Sequence, residues 1–261
     1  MKAGDFITDV MHSVAFLSRL PVPSRFFGEG DGPSMRRTAR AFPAAGLLIA
    51  LPAAVLVVAL AKFDASPQLT GWLAIAVTAL ITGALHEDGL ADMADGFGSG
   101  KEKPKTLEIM KDSRIGSYGT IAMILSFALR ATALASLIET LPAKTAAACL
   151  IAALVVSRAL MVWHWQSLPA AKTSGIAAGA GQPGESERNI ALATGLLLLV
   201  LFTLHALPFV SIVVVLAAVC LATVLFGRLC VSKIGGHTGD TIGASQQITE
   251  IVTLVALALA T

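Results

Sequence analysis

Residues 68–96 read QLTGWLAIAVTALITGALHEDGLADMADG. An apolar run of about twenty residues, the length of a membrane-crossing helix, runs directly into four carboxylates, Glu87, Asp88, Asp92 and Asp95. Charge beside hydrocarbon is costly, so ionisable groups there mark a functional site by default. Asp88, Asp92 and Asp95 stand at i, i+4 and i+7, one face of a helix. Like charges stacked this way repel, and a divalent cation between them is the simplest remedy. Glu87 points about 100° away from that face, which leaves it outside the ligand set.

The pattern around this stretch repeats along the chain. Of 261 residues, 55% are hydrophobic and 14% charged, against about 25% charged in a soluble domain. Apolar runs fall at about 41–61, 68–88, 117–139, 144–166, 190–207, 210–230 and 243–261. The fold class expected is all-α, a polytopic transmembrane bundle of about seven spans in one integral membrane domain, residues 1–261. The fifth and sixth spans are divided only by Leu207-Pro208-Phe209. Residues 3–20 carry Phe6, Ile7, Val10, Met11, Val14 and Leu17 at helical spacing. They read as an amphipathic interfacial helix or one packed on the bundle. No short apolar core with a small-residue cleavage site, the signal-peptide pattern, is seen there.

Lys and Arg favour cytoplasmic loops. Lys2, Arg19, Arg25, Arg36, Arg37 and Arg40 precede the first span, and Lys101, Lys103, Lys105, Lys111 and Arg114 follow the second. Lys172 and Arg188 follow the fourth, and Arg228 and Lys233 border the last turn. The intervening loops hold Lys62, Lys144 and nothing at Pro208. The expected N-terminus is cytoplasmic, the C-terminus external, and every polar loop faces the cytoplasm. Net charge is only +2 and no basic stripe occurs, so nucleic acid is not an expected partner. Cys149, Cys220 and Cys230 lie in apolar runs without a C-x-x-C spacing and read as small core residues.

Two further polar segments share the expected cytoplasmic side. Met110-Lys111-Asp112-Ser113-Arg114-Ile115-Gly116-Ser117-Tyr118-Gly119 leads into the third span, and Lys111 and Arg114 suit phosphate oxygens. Gly235-Gly236-His237-Thr238-Gly239-Asp240 precedes the last, where glycine lets backbone N–H groups approach a ligand and Asp240 could serve as metal ligand or base. Glu250, two turns into that span, needs a partner, Arg130 or Arg158. Gly96–Lys101 fails the P-loop pattern because Asp95 stands where its first Gly belongs and Glu102 follows Lys101. Thr173 to Gly184 reads as a mobile loop.

An acidic face, nearby cations and a Gly-Thr-Gly-Asp turn suit metal-assisted transfer of a phosphoryl-type group. The three motifs, His86-x-Asp88-Gly89-x-Ala91-Asp92-x-x-Asp95-Gly96, Met110–Gly119 and Gly235–Asp240, resemble in content and order those of the cobalamin synthase family, adenosylcobinamide-GDP ribazoletransferase. The likeness covers essentially the whole chain. Met93 stands where that family more often has Thr.

The resemblance implies a multi-pass enzyme of the prokaryotic inner membrane, with its active site facing the cytoplasm. α-Ribazole or its 5′-phosphate would attack adenosylcobinamide-GDP, releasing GMP and closing the nucleotide loop of adenosylcobalamin or its 5′-phosphate. It implies Mg²⁺ held by Asp88, Asp92 and Asp95. Lys111 and Arg114 would neutralise the diphosphate, with Gly236, Thr238 and Arg158 also binding substrate. Asp112 or Asp240 would orient or deprotonate the attacking hydroxyl. Trp163, Trp165 and Phe97 are candidates for gripping the corrin ring. The lipid bilayer is the other expected partner, and an oligomer is allowed. Two rival readings remain on the residues alone. A CDP-alcohol phosphotransferase-like enzyme needs Ala and Arg where Asp92 and Met93 stand, and a cation-coupled transporter predicts acids near mid-membrane and repeated interrupted helices.

Overall fold

The apolar runs become helices stacked against one central helix. A computed structural model describes residues 3–27, 33–172, 179–205 and 207–261. Thr173–Ala178, most of the mobile loop expected from the sequence, lies outside the described residues. The helices are α1 (Ala3–Leu17), α2 (Met35–Thr38), α3 (Phe42–Ala61), α4 (Pro67–Thr82), α5 (Leu85–Gly98) and α6 (Lys103–Ile109). They continue as α7 (Ser117–Thr140), α8 (Ala143–Ser167), α9 (Glu185–Thr203), α10 (Phe209–Ile234) and α11 (Gly239–Leu259). Among the described residues the only β-type pairing is an isolated parallel bridge between Ala170 and His237. Among the described residues six helices are long and apolar enough to cross a membrane, or seven if the bent pair of α4 and α5 counts as one span.

α8 is the post of the bundle. It packs against α3, α9 and α11, and 94% of its most apolar window is buried, against 28% for α10. Its run of Ala146, Ala147, Ala148, Ala152 and Ala153 is buried, and such small side chains let helix backbones approach closely. The outward faces of α7, α9 and α10 instead expose Ile124, Leu125, Leu197, Leu201, Val214 and Leu221. With lipid as solvent, an apolar exterior is the stable arrangement.

α1 is amphipathic as expected and rests against the first span. Val10, Val14 and Leu17 are buried, while Ile7 and Phe16 stay open. Asp9, fully buried, fastens it: Arg40 donates Nε to Asp9 Oδ2 at 2.7 Å, and Arg37 lies 3.3 Å from Oδ1.

The sequence pattern carries the second span straight through into the acidic stretch. The structure breaks it, turning α5 by 91° from α4. Gly83 and Ala84 both take left-handed backbone, φ 63° and 56°. Glycine adopts that conformation freely, whereas the Cβ of Ala84 makes it cost about 1 kcal/mol. Two contacts hold the break: the Ala84 N–H donates to Ala79 O at 2.8 Å, and the Arg19 N–H donates to Ile81 O at 2.6 Å. Without the break, α5 would carry its carboxylates along the direction of α4; with it, they lie across the end of the bundle.

Candidate active site

α5 sorts its carboxylates onto two faces. Glu87 turns inward and is 1% exposed. Arg130 of α7 donates Nη2 to Glu87 Oε1 and Nη1 to Glu250 Oε1, each at 3.1 Å. Gln247 donates Nε2 to the same Glu87 oxygen at 3.2 Å and accepts from Ser126 Oγ at 2.8 Å, while Gln246 donates to Ser157 Oγ at 3.1 Å. A buried carboxylate survives when it is both paired and hydrogen-bonded. Glu250 thus finds its partner in Arg130, one of the two expected.

Asp88, Asp92 and Asp95 lie on the opposite side. Asp88 is exposed and the other two are half-buried. α11 meets this helix where side chains are smallest: a Cβ on Gly89 would sit 2.8 Å from Asp240 O, and one on Gly243 3.4 Å from His86 Cα. This close crossing brings Asp240 to the aspartate face. Burial, then the charges of Asp88, Asp240 and Asp95, push the Asp92 carboxyl up to about 6 from 3.8. Lys172, just past α8, supplies the opposing charge. Burial lowers its ammonium pKa, Asp240 and Asp92 act to raise it, and nearby Lys111 lowers it further.

Asp95 serves a separate end. The Gly116 N–H donates to its Oδ2 at 2.7 Å and the Gly119 N–H to its Oδ1 at 2.8 Å. It caps α7 from a different helix, meeting two of the N–H groups that a helix start leaves unsatisfied and the positive end of its dipole. Gly116 and Gly119 are glycines for the same reason, since a Cβ at either would run into the Asp95 carboxylate. Among the described residues, no three His, Cys, Asp or Glu side chains converge closely enough to hold a metal ion. The expected triad therefore shares a helix face but does not meet at a point, because Asp95 is turned toward α7.

The other expected residues fall as follows. Asp112 and Arg114 face solvent and grip each other: Arg114 donates Nε to Oδ1 at 3.0 Å and Nη2 to Oδ2 at 2.6 Å. These bonds hold the Asp112 carboxyl down at about 2, too acidic for a proton acceptor near neutrality. Gly236 packs on the chain after α8, where the His237 N–H donates to Pro169 O and the Ala171 N–H to His237 O, both at 2.8 Å. A Cβ on Gly236 would collide with the Pro169 carbonyl. Thr238 caps α11, accepting from the Thr241 N–H at 3.3 Å and donating to Asp240 Oδ2 at 3.2 Å. Arg158 does not join the aspartate face. It is 1% exposed inside the bundle and donates Nη1 to Leu154 O at 2.9 Å. Phe97 is buried in a small cluster with Leu90, Met93 and Phe226, whereas Trp165 comes near the aspartates, lining a cavity with Asp88 and Asp240.

Lys172 and the Asp9 anchor were not anticipated as site or framework residues. No spacing relation ties Lys172 to aspartates so much earlier in the chain, and only its place after a span hinted at it.

Fold and site together describe a multi-pass membrane protein with an acid- and lysine-lined centre at one end of its helices, suited to an anionic substrate. A family model, cobalamin-5-phosphate synthase, matches residues 9–258, and the chain belongs to that family, whose members are transferases of cobalamin synthesis. It is 52% identical over 257 residues to the adenosylcobinamide-GDP ribazoletransferase of Sinorhizobium medicae, covering 98% of each chain. It is 52% identical over 253 residues to that of Rhizobium meliloti, covering 97% of this chain and 96% of the relative. The enzyme of the same name from Brucella anthropi is 41% identical over 263 residues, with both chains fully covered. No solved structure matches the chain.

Proposed function

We propose that this protein is an adenosylcobinamide-GDP ribazoletransferase that joins adenosylcobinamide-GDP to α-ribazole or its 5′-phosphate and releases GMP. The observation that carries the reading is the pair Asp88 and Asp92 on the open face of α5, with Asp240 beside them and Lys172 and Lys111 as the nearby cations, in a chain of this family. The loop charges favour the cytoplasmic side of the inner membrane for this face.

Hard oxygen donors without a thiol suit Mg²⁺, which takes one or two carboxylates and leaves its other positions to water and phosphate. The crowding that raises Asp92 fits such a charge. Asp88 and Asp92 would hold it, with Asp95 committed to α7. Bound there, it would neutralise charge on the diphosphate oxygens.

The chain's own groups complete the centre. Lys111 and Lys172 face the diphosphate as point charges. Arg114, its fork held in place by Asp112, offers further N–H donors at the rim. Asp240, steadied by the Thr238 hydroxyl, accepts the proton of the attacking ribose hydroxyl; Asp112 is the weaker base of the two. The ribose oxygen bonds to the cobinamide-bearing phosphorus, the bond from that phosphorus to the GMP oxygen breaks, and GMP departs with the bonding electrons.

Purified protein given adenosylcobinamide-GDP and α-ribazole releases GMP, and only with a divalent cation present. Absence of GMP under those conditions overturns the assignment; release undiminished in a strong chelator removes the metal from it.

A further inference from the structure

A cavity of about 240 Å³ opens beside Asp88 and Asp240 and runs inward between α1, α3, α5 and α8. Its walls include Phe16, Met35, Phe42, Met161 and Trp165. Three of these rings form a ladder: Phe16 and Phe42 lie 6.2 Å apart at 21°, and Phe42 and Trp165 6.4 Å apart at 28°. Flat, parallel aromatic faces with thioethers beside them suit a flat aromatic guest.

The cavity also holds unmet hydrogen-bonding groups. Trp165 and His86 are each 2% exposed. Among the described residues, Trp165 Nε1 and both ring nitrogens of His86 have no hydrogen-bond partner. Buried polar groups are normally satisfied, and an orphaned one calls for an explanation. Beside His86, Glu87 Oε1 accepts from Arg130 and Gln247, while among the described residues Glu87 Oε2 is likewise without a partner. Trp165 lines the cavity, and its buried indole N–H is a donor for which the described residues hold no acceptor.

We propose that this cavity receives the base of the attacking nucleoside, its ring nitrogen accepting from Trp165 Nε1 and its ribose directed toward Asp240. The proposal rests on the function proposed above. A benzimidazole base is hydrocarbon except for one free ring nitrogen, an acceptor. That matches an apolar slot with few polar groups. Guanine, the rival base in this reaction, presents several donors and acceptors along its edges. Most would be stranded against Phe and Met, and unpaired polar groups in an apolar site are costly. The corrin ring is far larger than the cavity. The inference also gives α1 a purpose, because Phe16 and Leu17 close one side of the slot.

The test uses the full chain purified in detergent, with α-ribazole alone in calorimetric titration and with both substrates in GMP-release kinetics. Trp165→Phe keeps the ring and removes the N–H. It weakens α-ribazole about tenfold and raises its KM by the same factor, leaving the KM for adenosylcobinamide-GDP within about twofold. The indole riboside, which lacks the ring-nitrogen acceptor, binds wild type and Trp165→Phe alike. Phe16→Ala, at a half-exposed position, weakens α-ribazole about fivefold. Unchanged α-ribazole affinity in both variants overturns the proposal, as does a shift confined to the KM for adenosylcobinamide-GDP. Normal GMP release with no KM shift removes the cavity assignment and keeps the function. Tight, Trp165-dependent α-ribazole binding without GMP release does the reverse.

Discussion

Glu87 and Asp88 are neighbours in sequence and opposites in circumstance. Glu87 lies inside the bundle with Arg130 and Gln247 as fixed partners. Asp88 lies on the open side, with Asp92 and Asp240 close by and no salt-bridge partner among the described residues. One face of α5 is electrically complete within the chain, while the other is left in surplus. A carboxylate whose counter-ion is built in holds helices together. A carboxylate whose counter-ion is missing awaits one from solution. A rotation of about 100° along a single helix separates the two roles.

The sharpest way to break this comparison is to strip the paired face of its cation. Arg130→Met leaves Glu87 and Glu250 buried without the cation that hydrogen-bonds them both, at a cost of about 3–5 kcal/mol. That is a large part of an ordinary folding free energy. The expected outcome is loss of folded protein from detergent extracts on size exclusion. Adding Glu87→Gln and Glu250→Gln to the same variant restores it. If Arg130→Met alone left the thermal midpoint unmoved, the paired face would have no structural role.

The open face responds in the other sense. Asp88→Asn and Asp92→Asn each lower GMP release about a hundredfold, roughly 2.7 kcal/mol in barrier. The thermal midpoint stays level or rises, because a crowded like charge is gone. A fall in stability matching the fall in rate would place these residues with Glu87.

Acidity offers a gentler probe. With its carboxyl at about 6, Asp92 is mostly protonated at pH 5 and ionised at pH 7. Turnover at limiting Mg²⁺ therefore rises through that range, about tenfold from pH 5 upward. A saturating divalent cation competes with the proton and moves the midpoint to lower pH. Stability runs the opposite way: the folded carboxyl binds its proton more tightly than the unfolded one, so it loses stability as pH rises from about 4 through 6. An Asp92→Asn variant shows neither trend.

The smallest effect separates Asp95 from its two companions. Asp95→Ala removes both acceptors at the start of α7 and costs about 1 kcal/mol, seen as a lower thermal midpoint. Asp88→Asn gives no such drop. Equal midpoints in the two variants would return Asp95 to the open set.

Much of this arrangement is legible from periodicity. The lengths of the apolar runs locate the spans within a few residues, and i, i+4, i+7 spacing puts the aspartates on one face and Glu87 off it. The need of Glu250 for an arginine follows from burying a charge. What the sequence conceals are relations between distant segments. Nothing near Asp95 announces that its partners are N–H groups 21 and 24 positions on. Gly83 hints at a break, but Ala84 beside it has no left-handed preference, so the 91° turn is imposed by tertiary contact. Asp112 and Arg114 looked like separate tools for proton and phosphate; two positions apart on a turn, they satisfy each other first.

The same turn shortens α4 to 16 residues. At 1.5 Å per residue this gives about 24 Å of helix, against a hydrocarbon layer of about 30 Å. A span shorter than the layer around it thins that layer locally or draws its flanking groups inward. Here the flanking group is the acidic helix. If the layer thins there, the proposed site would lie below the level of the surrounding headgroups, where a bulky ring system could rest against lipid while its charged tail reaches the lysines.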